Sequence, residues 1–551
     1  MDDIQIHLPN GVSLRCPCAT QAETLVEHFG EIKGGLAAVK VNNELRPLST
    51  LLEVNTSLEP VTLESSEGAM IYRRSLSFLL AIAVRDLFPH RSLYVGHSLG
   101  NSYYYTFGDG EAPSENDVAD LKARMKALVQ EDLPIVFHYM GYTEALAMFE
   151  KNGQIGTVQL LEERNDSRIK INECRGFADL YVGPLVPRTG LLRMFDLMAY
   201  SSGFLLLFPG IGKDKIEPFS GSPTIFAVYN EYKKWGLTIG IRTIGDLNRL
   251  IRERAIREYI RIAEAFQSKK IAQIADKVCE KQDSVKVVLI AGPSSSGKTT
   301  TAKRLSLELK VMGMEPIPVS LDDYYVNTDR TPRDEKGEPD YECLEALDVA
   351  YFNQQLLALF NGDEVILPEY DFKIGRRRET GGRQIRMGKR SILIVEGIHG
   401  LNDALTPQIP RNTTFKLYVS ALTQLNLDDH NRIPTSDNRL LRRMVRDAQF
   451  RGTSAVSTIK MWPSVQRGER LHIFPFQDSA DIAFNSALSY ELAVLKFYAE
   501  PLLRSVKPGY SEYAEAVRLR SFLENFAPIP PQYVPGHSIL REFIGESDFK
   551  Y

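Results

Sequence analysis

The sequence predicts a multidomain α/β protein, and three observations lead to this prediction. The chain has 551 residues, too many for one hydrophobic core, so we expect two to four domains of roughly 100–200 residues each. Apolar residues make up 43% and charged residues 25%, which excludes a wholly disordered or fibrous chain. In the C-terminal half, strand-like runs alternate with helical segments, which predicts a parallel sheet covered on both faces.

Residues 1–65 have the pattern of a small ubiquitin-like roll. Ile4, Ile6 and Leu8 alternate with polar residues before a hairpin turn at 9–11, as in a half-buried strand. Thr20 to Phe29 has helical apolar spacing, and residues 37–41 return to a strand pattern.

Residues 66–210 predict a mixed α+β domain. A nearly continuous apolar helix is expected from Ser75 to Leu87, a second helix near Glu115, and a strand over 133–137. Residues 211–283 predict a linker, loop-rich from Gly210 to about Thr243, then one long amphipathic helix over 244–278.

Residues 284–505 have the alternating strand and helix pattern of the parallel-sheet domain. Residues 506–551 are expected to form a Pro-rich tail packed against this domain. The strands are expected at residues 285–290, 317–321, 391–395, 415–420 and 480–484, with a helix beginning at Lys298.

The overall charge and the cysteines restrict the class of protein. Sixty-six Lys and Arg against seventy Asp and Glu give a net charge of −4. This near balance excludes a protein whose main function depends on general electrostatic attraction to nucleic acid or anionic membranes. No apolar run reaches the roughly 20 residues of a membrane span, and the first residues lack the features of a signal peptide. Five cysteines fit a reducing compartment, so we expect a cytoplasmic protein.

The strongest motif in the chain is a phosphate-binding loop. Residues 292–299 fit G-x-x-x-x-G-K-[ST] between a strand and a helix. The loop amides and the helix N-terminus would hold the phosphates of ATP, Lys298 would bridge the β- and γ-phosphates, and the Thr299 hydroxyl would hold Mg²⁺. The predicted nucleotide-binding residues are Gly292, Pro293, Ser294, Ser295, Ser296, Gly297, Lys298, Thr299 and Thr300.

Two carboxylates follow neighbouring strands of the predicted sheet. Asp322 ends the strand after the P-loop helix, where it could accept the proton of an acceptor hydroxyl. Glu396 ends a later strand and suits Mg²⁺ or its bound water. Helix capping is the alternative for Asp322, and a solvated strand end is the alternative for Glu396.

Two clusters of basic residues follow. Residues 373–390 hold eight Lys and Arg, for which nucleic-acid binding is the alternative to phosphate binding. Residues 432–451 hold six Arg, and four of them share one helical face, which predicts a phosphate clamp. These four are Arg439, Arg442, Arg443 and Arg446.

Together these motifs resemble the phosphoribulokinase/uridine kinase family of P-loop kinases over roughly residues 284–505. The resemblance includes the segments 321–325, 368–372, 395–398 and 439–452. It implies that Lys298 and Asp322 are catalytic, and that Thr299, Glu396 and Asp322 lie at the metal. It further implies a substrate pocket of Tyr325, Glu342, Tyr370, Phe372 and Arg439, and lid contacts to phosphate from Arg442, Arg443 and Arg446.

Several positions depart from the uridine kinase pattern. Glu342 replaces the aspartate that holds ribose hydroxyls, the base-reading histidine falls at Gly375, and Met461 stands where a glutamine is expected. The His399-Gly400 pair is closer to the phosphoribulokinase variant. A sugar or sugar-phosphate acceptor therefore stays open.

The N-terminal half resembles threonyl-tRNA synthetase, with a TGS domain followed by the second additional, editing-type domain. The resemblance depends on residues 71–80 and 179–190, where the synthetase carries His-x-x-x-His and Cys-x-x-x-His. The four corresponding positions here are Arg74, Phe78, Tyr181 and Leu185. Because Phe and Leu cannot bind a metal, we expect neither Zn²⁺ binding nor hydrolytic editing, and a role in binding, regulation or assembly instead.

The sequence therefore predicts an ATP-dependent kinase that phosphorylates a hydroxyl of a small molecule, most specifically a uridine- or cytidine-like nucleoside. A kinase for another sugar or ribosyl metabolite is one alternative. An RNA- or tRNA-associated regulatory P-loop ATPase is the other.

Overall fold

The computed structural model describes residues 3–334, 337–371, 374–378 and 382–551. Within these residues no helix combines the length and the apolar character needed to cross a membrane.

The first sheet is formed by residues 3–62. It has the order β2-β1-β7-β4-β5, with β1 and β7 parallel. Alternating Ile4 and Ile6 side chains of β1 point into the core. The helix predicted over 20–29 is a short strand followed by a 3₁₀ helix over Ala22–Phe29. The strands are β1 (Asp3–His7), β2 (Ser13–Pro17), β3 (Thr20–Gln21), β4 (Leu36–Val41), β5 (Glu44–Arg46), β6 (Leu51–Leu52) and β7 (Thr56–Thr62).

Residues 66–207 form a mixed unit with two antiparallel sheets, in the orders β13-β14-β9-β8 and β10-β11-β12. The first helix begins at Ser66, nine residues before the predicted start, because the Ser65 side chain caps it by accepting from the Gly68 amide. The elements are α1 (Ser66–Leu87), β8 (Leu93–Ser98), β9 (Ser102–Phe107), α2 (Glu115–Gln130), β10 (Val136–Gly141), α3 (Tyr142–Lys151), α4 (Ile155–Leu161), β11 (Arg168–Cys174), β12 (Phe177–Asp179), β13 (Asp196–Tyr200) and β14 (Gly203–Leu207).

The region between the two halves of the chain differs from its prediction in two ways. The supposed loop contains α5 (Pro223–Thr238), in which Ser222 caps the helix and Pro223 occupies the first turn, where a missing N–H costs nothing. The long helix predicted over 244–278 is two helices, α6 (Ile244–Arg252) and α7 (Ile256–Cys279), separated by Arg254 with φ of 61°. Both bury their apolar faces in one core, so the sequence pattern does not reveal the break.

A five-stranded parallel sheet of order β16-β21-β15-β22-β23 organises the C-terminal half, as predicted. β15 lies at its centre and leads through the P-loop into α8. The elements are β15 (Val287–Ala291), α8 (Lys298–Val311), β16 (Glu315–Ser320), α9 (Val349–Phe360), β17 (Glu364–Ile366), β18 (Tyr370–Asp371), β19 (Arg376–Arg377), β20 (Gln384–Arg386), β21 (Ser391–Glu396), β22 (Thr414–Ser420), α10 (Thr435–Phe450), α11 (Ala455–His472), β23 (Ile482–Asn485), α12 (Glu491–Ser505), α13 (Tyr513–Leu523) and α14 (Arg541–Ile544).

One hydrophobic core extends from the connecting helices, through the parallel sheet, into the last forty residues. It includes Ile260 of α7, Ile290 of β15, Phe522 of α13 and Phe543 of α14, all at most 2% exposed. The domain limits predicted from the sequence stay predictions.

A loop of the C-terminal half enters the unit formed by residues 66–207. The Val95 amide donates to the Asp429 carbonyl (3.0 Å), and the Asn431 side chain donates to the Leu180 carbonyl (2.8 Å). The His430 ring lies 2.7 Å from a carboxylate oxygen of Asp179, which is fully buried. A buried charged contact therefore joins the two halves.

Candidate active site

The P-loop follows β15 in a tight turn. Ser295 and Gly297 both adopt left-handed backbone conformations, with φ of 59° and 82°, and Gly297 caps α8. The first amides of α8 point out of the helix without intrahelical partners, which makes its N-terminus an anion site. Lys298, the first residue of α8, places its ammonium group 3.3 Å from the Pro293 carbonyl.

Thr299 and Glu396 lie side by side beneath this loop. The Thr299 hydroxyl donates to Glu396 Oε1 at 3.1 Å. Burial at the end of β21 raises the pKa of Glu396 to about 7; Asp322 and Glu542 add to this rise, whereas Lys298 and Thr299 oppose it. The carboxylate is thus within electrostatic reach of Lys298 and Asp322, the two residues predicted to be catalytic.

Asp322 is exposed at the end of β16, where its backbone amide donates to the Ser320 hydroxyl (3.3 Å). Partial loss of hydration against the surrounding protein raises the pKa of Asp322, and the positive charges of Lys298, Arg451 and Arg446 oppose this rise. The carboxylate is therefore within electrostatic reach of the P-loop lysine and of two arginines at the end of α10, and its exposed position leaves it open to a solute.

These oxygen donors fit a magnesium ion. A hydroxyl and two carboxylates are hard ligands of the kind that Mg²⁺ prefers, and Mg²⁺ is commonly held by one or two such groups together with substrate phosphates. Among the described residues, no group of three or more His, Cys, Asp or Glu side chains could hold a metal on its own. The ion would thus depend on the nucleotide for the rest of its ligands.

The predicted acceptor pocket is lined by aromatic rings. Tyr325 and Tyr370 are both buried, with ring centroids 5.8 Å apart in an edge-on contact. The Tyr325 hydroxyl donates to the backbone carbonyl of Tyr341 (3.0 Å). The Tyr341 ring also packs edge-on against the Tyr325 ring. Phe372, predicted for the same pocket, lies outside the described residues.

Glu342 lies within electrostatic reach of the P-loop lysine. Burial, followed by the charge of Glu469, raises the pKa of Glu342 to about 7, and Arg443 and Lys298 oppose the rise. The side chain packs against Gly468 of α11, where a Cβ would come within 2.6 Å of Glu342 Cβ.

Gly375, which the sequence resemblance aligns with the base-reading histidine, cannot be replaced by a larger residue without strain. Its φ is 66°, and its carbonyl accepts from both the amide (2.9 Å) and the hydroxyl (3.1 Å) of Thr328. A Cβ at this position would lie 2.2 Å from Thr328 Oγ1. This chain therefore cannot read an acceptor with a side chain at residue 375.

Two arginines that were predicted to contact phosphate or substrate lie buried behind the P-loop. Arg442 is completely buried; it pairs with Glu491 and donates to the Ser295 carbonyl (3.3 Å). Arg439, 4% exposed, forms a two-pronged pair with Glu469, with Nη2 to Oε2 at 2.7 Å. The prediction of a lid role for Arg442 fails because Glu491 of α12 and Phe543 of α14 cover that face of α10.

The Arg439–Glu469 pair binds both backbone groups of Ser294. The Ser294 amide donates to Glu469 Oε1 and Arg439 donates to the Ser294 carbonyl, each at 3.1 Å. Arg443 donates to the Ser294 hydroxyl at 2.9 Å. Arg443 and Arg446 are 16% exposed and stay candidates for phosphate contacts. The carboxylates Glu469, Glu491 and Glu542 were missed because no sequence motif marks them.

Some arginines of the first basic cluster make contacts within the protein, and Lys373 of this cluster lies outside the described residues. Arg377 donates to the Tyr324 carbonyl (2.8 Å) and pairs with Asp348, Arg383 donates to the Pro318 carbonyl, and Arg386 donates to the Gly362 carbonyl. These contacts leave fewer guanidinium groups for nucleic acid than the sequence indicates.

In the N-terminal half, three of the four residues predicted to correspond to the synthetase metal ligands pack in the interior, and the fourth, Arg74, makes a polar contact. Phe78 and Tyr181 pack edge-on with centroids 5.9 Å apart, and Leu185 is 5% exposed. Arg74 donates to the Pro184 carbonyl at 2.9 Å.

Residues 287–492 match the model of the phosphoribulokinase/uridine kinase family. The N-terminal region is similar to threonine–tRNA ligases. The ligase of Acidithiobacillus ferrooxidans is 31% identical over 206 residues, which are 37% of this chain and 32% of that ligase. The chain thus spans about a third of the length of the curated relatives it matches. Both resemblances predicted from the sequence motifs are confirmed.

Among solved structures, a possible uridine kinase from Bacillus stearothermophilus has 20% identity and a TM-score of 0.23; it covers 38% of this chain and 97% of that one. D-glycerate 3-kinase from Cryptococcus neoformans var. grubii has 17% identity and a TM-score of 0.22, with coverages of 50% and 88%. At these values neither structure indicates a substrate.

Proposed function

We propose that the C-terminal half is an ATP-dependent, Mg²⁺-requiring kinase that phosphorylates a hydroxyl of a nucleoside, most specifically one like uridine or cytidine. The observation that carries the proposal is the position of Asp322, which is exposed to solutes and interacts electrostatically with Lys298, Arg446 and Arg451. The match of residues 287–492 to a kinase family supports it.

In this mechanism the protein supplies position and charge. Asp322 accepts the proton of the acceptor hydroxyl and orients its oxygen toward the transferred phosphate. Lys298 and the amides at the start of α8 stabilise the phosphate oxygens. Thr299, Glu396 and Asp322 would hold Mg²⁺, which neutralises phosphate charge when bound. Arg443 and Arg446 approach the same phosphates from α10 and help to exclude water.

The acceptor would bind between the aromatic side chains and Glu342. A planar base fits against rings such as Tyr325 and Tyr370, and the Glu342 carboxylate can accept hydrogen bonds from vicinal ribose hydroxyls. Because residue 375 offers no side chain, the site lacks one base-reading group, and discrimination between bases should be weak. A sugar or another ribosyl metabolite is the alternative acceptor.

We further propose that residues 1–65 form a TGS domain and residues 66–210 an editing-type domain that has lost its metal and its hydrolytic activity. Their likeness to threonine–tRNA ligases supports a role in binding or regulation. It also motivates the second candidate function, a P-loop ATPase stimulated by tRNA.

An assay of ADP release by the purified full-length chain distinguishes these candidates. We expect ATP consumption only when a nucleoside is added, together with a phosphorylated product detected by mass spectrometry. Uridine, cytidine, purine nucleosides, free pentoses and tRNA are tested in parallel. Stimulation by tRNA without a phosphorylated small molecule would refute the kinase and favour the ATPase.

A further inference from the structure

Residues 537–551, here called the closing segment, lie over the N-terminus of the P-loop helix. Ile539 and Phe543 are completely buried and anchor the segment in the core. Ile539 Cγ2 lies only 2.6 Å from where a Cβ of Gly297 would be, so the segment touches the loop itself. Phe543 stacks against the Arg442 guanidinium (4.9 Å), which in turn holds the Ser295 carbonyl.

The closing segment places a carboxylate on the donors that begin α8. Glu542 Oε2 accepts from the Thr300 amide at 3.1 Å and from the Thr300 hydroxyl at 2.6 Å. Thr300 is the third residue of α8, so its amide is one of the outward-pointing donors of the helix. A carboxylate there is favoured by the positive end of the helix dipole and by charge-assisted hydrogen bonding.

The end of the closing segment adds a second set of contacts to the same helix. The Tyr551 and Thr300 hydroxyls lie 2.7 Å apart. The Lys303 ammonium group donates to the Lys550 carbonyl and lies 4.6 Å from the centroid of the Tyr551 ring. These contacts of Glu542, Lys550 and Tyr551 all reach α8, whereas the anchoring residues are buried in the core.

A nucleotide in the P-loop needs the donors that Glu542 occupies. The phosphates of a bound nucleotide accept hydrogen bonds from consecutive amides at the start of α8. If one phosphate is held by Lys298 and Thr299, the neighbouring phosphate lies toward the Thr300 amide. A carboxylate and a phosphate are both anions, and they repel each other when they compete for one donor.

We propose that the closing segment is an autoinhibitory strap. The Glu542 carboxylate occupies the Thr300 amide and hydroxyl, where a phosphate of the bound nucleotide would otherwise lie, until a nucleoside triphosphate displaces it. The proposal rests on the proposed function, since it requires a nucleotide in the P-loop. Ile539 and Phe543 stay anchored during displacement, and residues from Glu542 onward move away from α8. Each binding event then includes the free energy of breaking the Glu542 contacts.

Glu542→Gln tests the proposal because it removes the charge and keeps the shape of the side chain. Glu546→Gln is the matched control, since Glu546 is on the same segment but pairs with Arg541, away from α8. Titration calorimetry with ATP should show binding about tenfold tighter for Glu542→Gln, the scale of one lost charge-assisted hydrogen bond. Glu546→Gln should bind ATP as the unaltered chain does.

Hydrogen exchange of the unaltered chain provides a measurement that needs no variant. Saturating ATP should speed amide exchange at residues 542–551 while exchange at residues 285–291 stays slow. Unchanged exchange at 542–551, or unchanged or weaker ATP affinity in Glu542→Gln, would overturn the strap but leave the kinase standing. No ATP binding by the unaltered chain would overturn both.

Discussion

The buried His430–Asp179 contact predicts a pH-dependent stability that can be calculated from the structure. Burial alone would lower the pKa of His430, but the carboxylates of Asp179, Asp428 and Asp429 outweigh it and raise the pKa from 6.5 to about 9. At about 1.4 kcal/mol per pH unit, the charged form contributes about 3 kcal/mol to the free energy of unfolding. The pKa of His430 is higher in the folded state than in the unfolded state. The contribution is therefore complete below about pH 6.5 and disappears as the pH rises through 9.

His430→Gln removes this contribution, so its effect on stability should depend on pH. Urea unfolding, followed by the fluorescence of Trp235 and Trp462, should show the variant about 3 kcal/mol less stable at pH 6 and nearly equal to the unaltered chain above pH 9.5. His90→Gln, at an exposed position, is the control and should change stability little at any pH. A stability difference for His430→Gln that stays constant from pH 6 to 9.5 would refute the assigned ion pair.

Three further predictions concern the candidate active site. Asp322→Asn should lower kcat by about 10²–10⁴-fold, the usual scale for loss of a general base, while ATP still binds in calorimetry; near-normal turnover would remove Asp322 from the mechanism. Lys298→Ala should abolish phosphoryl transfer in a steady-state assay, because the proposed mechanism uses the Lys298 ammonium group to bridge the β- and γ-phosphates; retained activity would contradict the P-loop assignment. Arg442→Met should cost about 3–5 kcal/mol in urea unfolding, since it leaves the Glu491 carboxylate buried without its partner, and adding Glu491→Leu should recover part of that loss.

Local sequence patterns were sufficient to predict the fold of the C-terminal half. The parallel strands, the P-loop and the first turn of α8 are encoded by short, contiguous segments, and Asp322 and Glu396 follow strands directly. The carboxyl ends of parallel strands meet at one edge of the sheet, so these side chains converge without knowledge of tertiary contacts.

The features that the sequence did not predict result from contacts between distant parts of the chain. The Arg442 side chain follows the predicted helical face, but only the tertiary fold shows that α12 supplies Glu491 to neutralise it. The break between α6 and α7 escaped prediction because both helices keep the same apolar periodicity. Glu469 and Glu542 lie far along the chain from the residues they bind, so no spacing rule connects them to the P-loop.

The hydrophobic core that continues from α7 into α14 has a practical consequence for anyone who wants to isolate the parallel-sheet domain. A fragment cut at residues 284 and 505 would lose Ile260, Phe522 and Phe543 from the interior and expose the apolar surface they cover. Such a fragment should aggregate, whereas one that keeps residues 241–551 retains these packing partners. We therefore expect the smallest fragment that folds by itself to extend beyond the residues that match the family model.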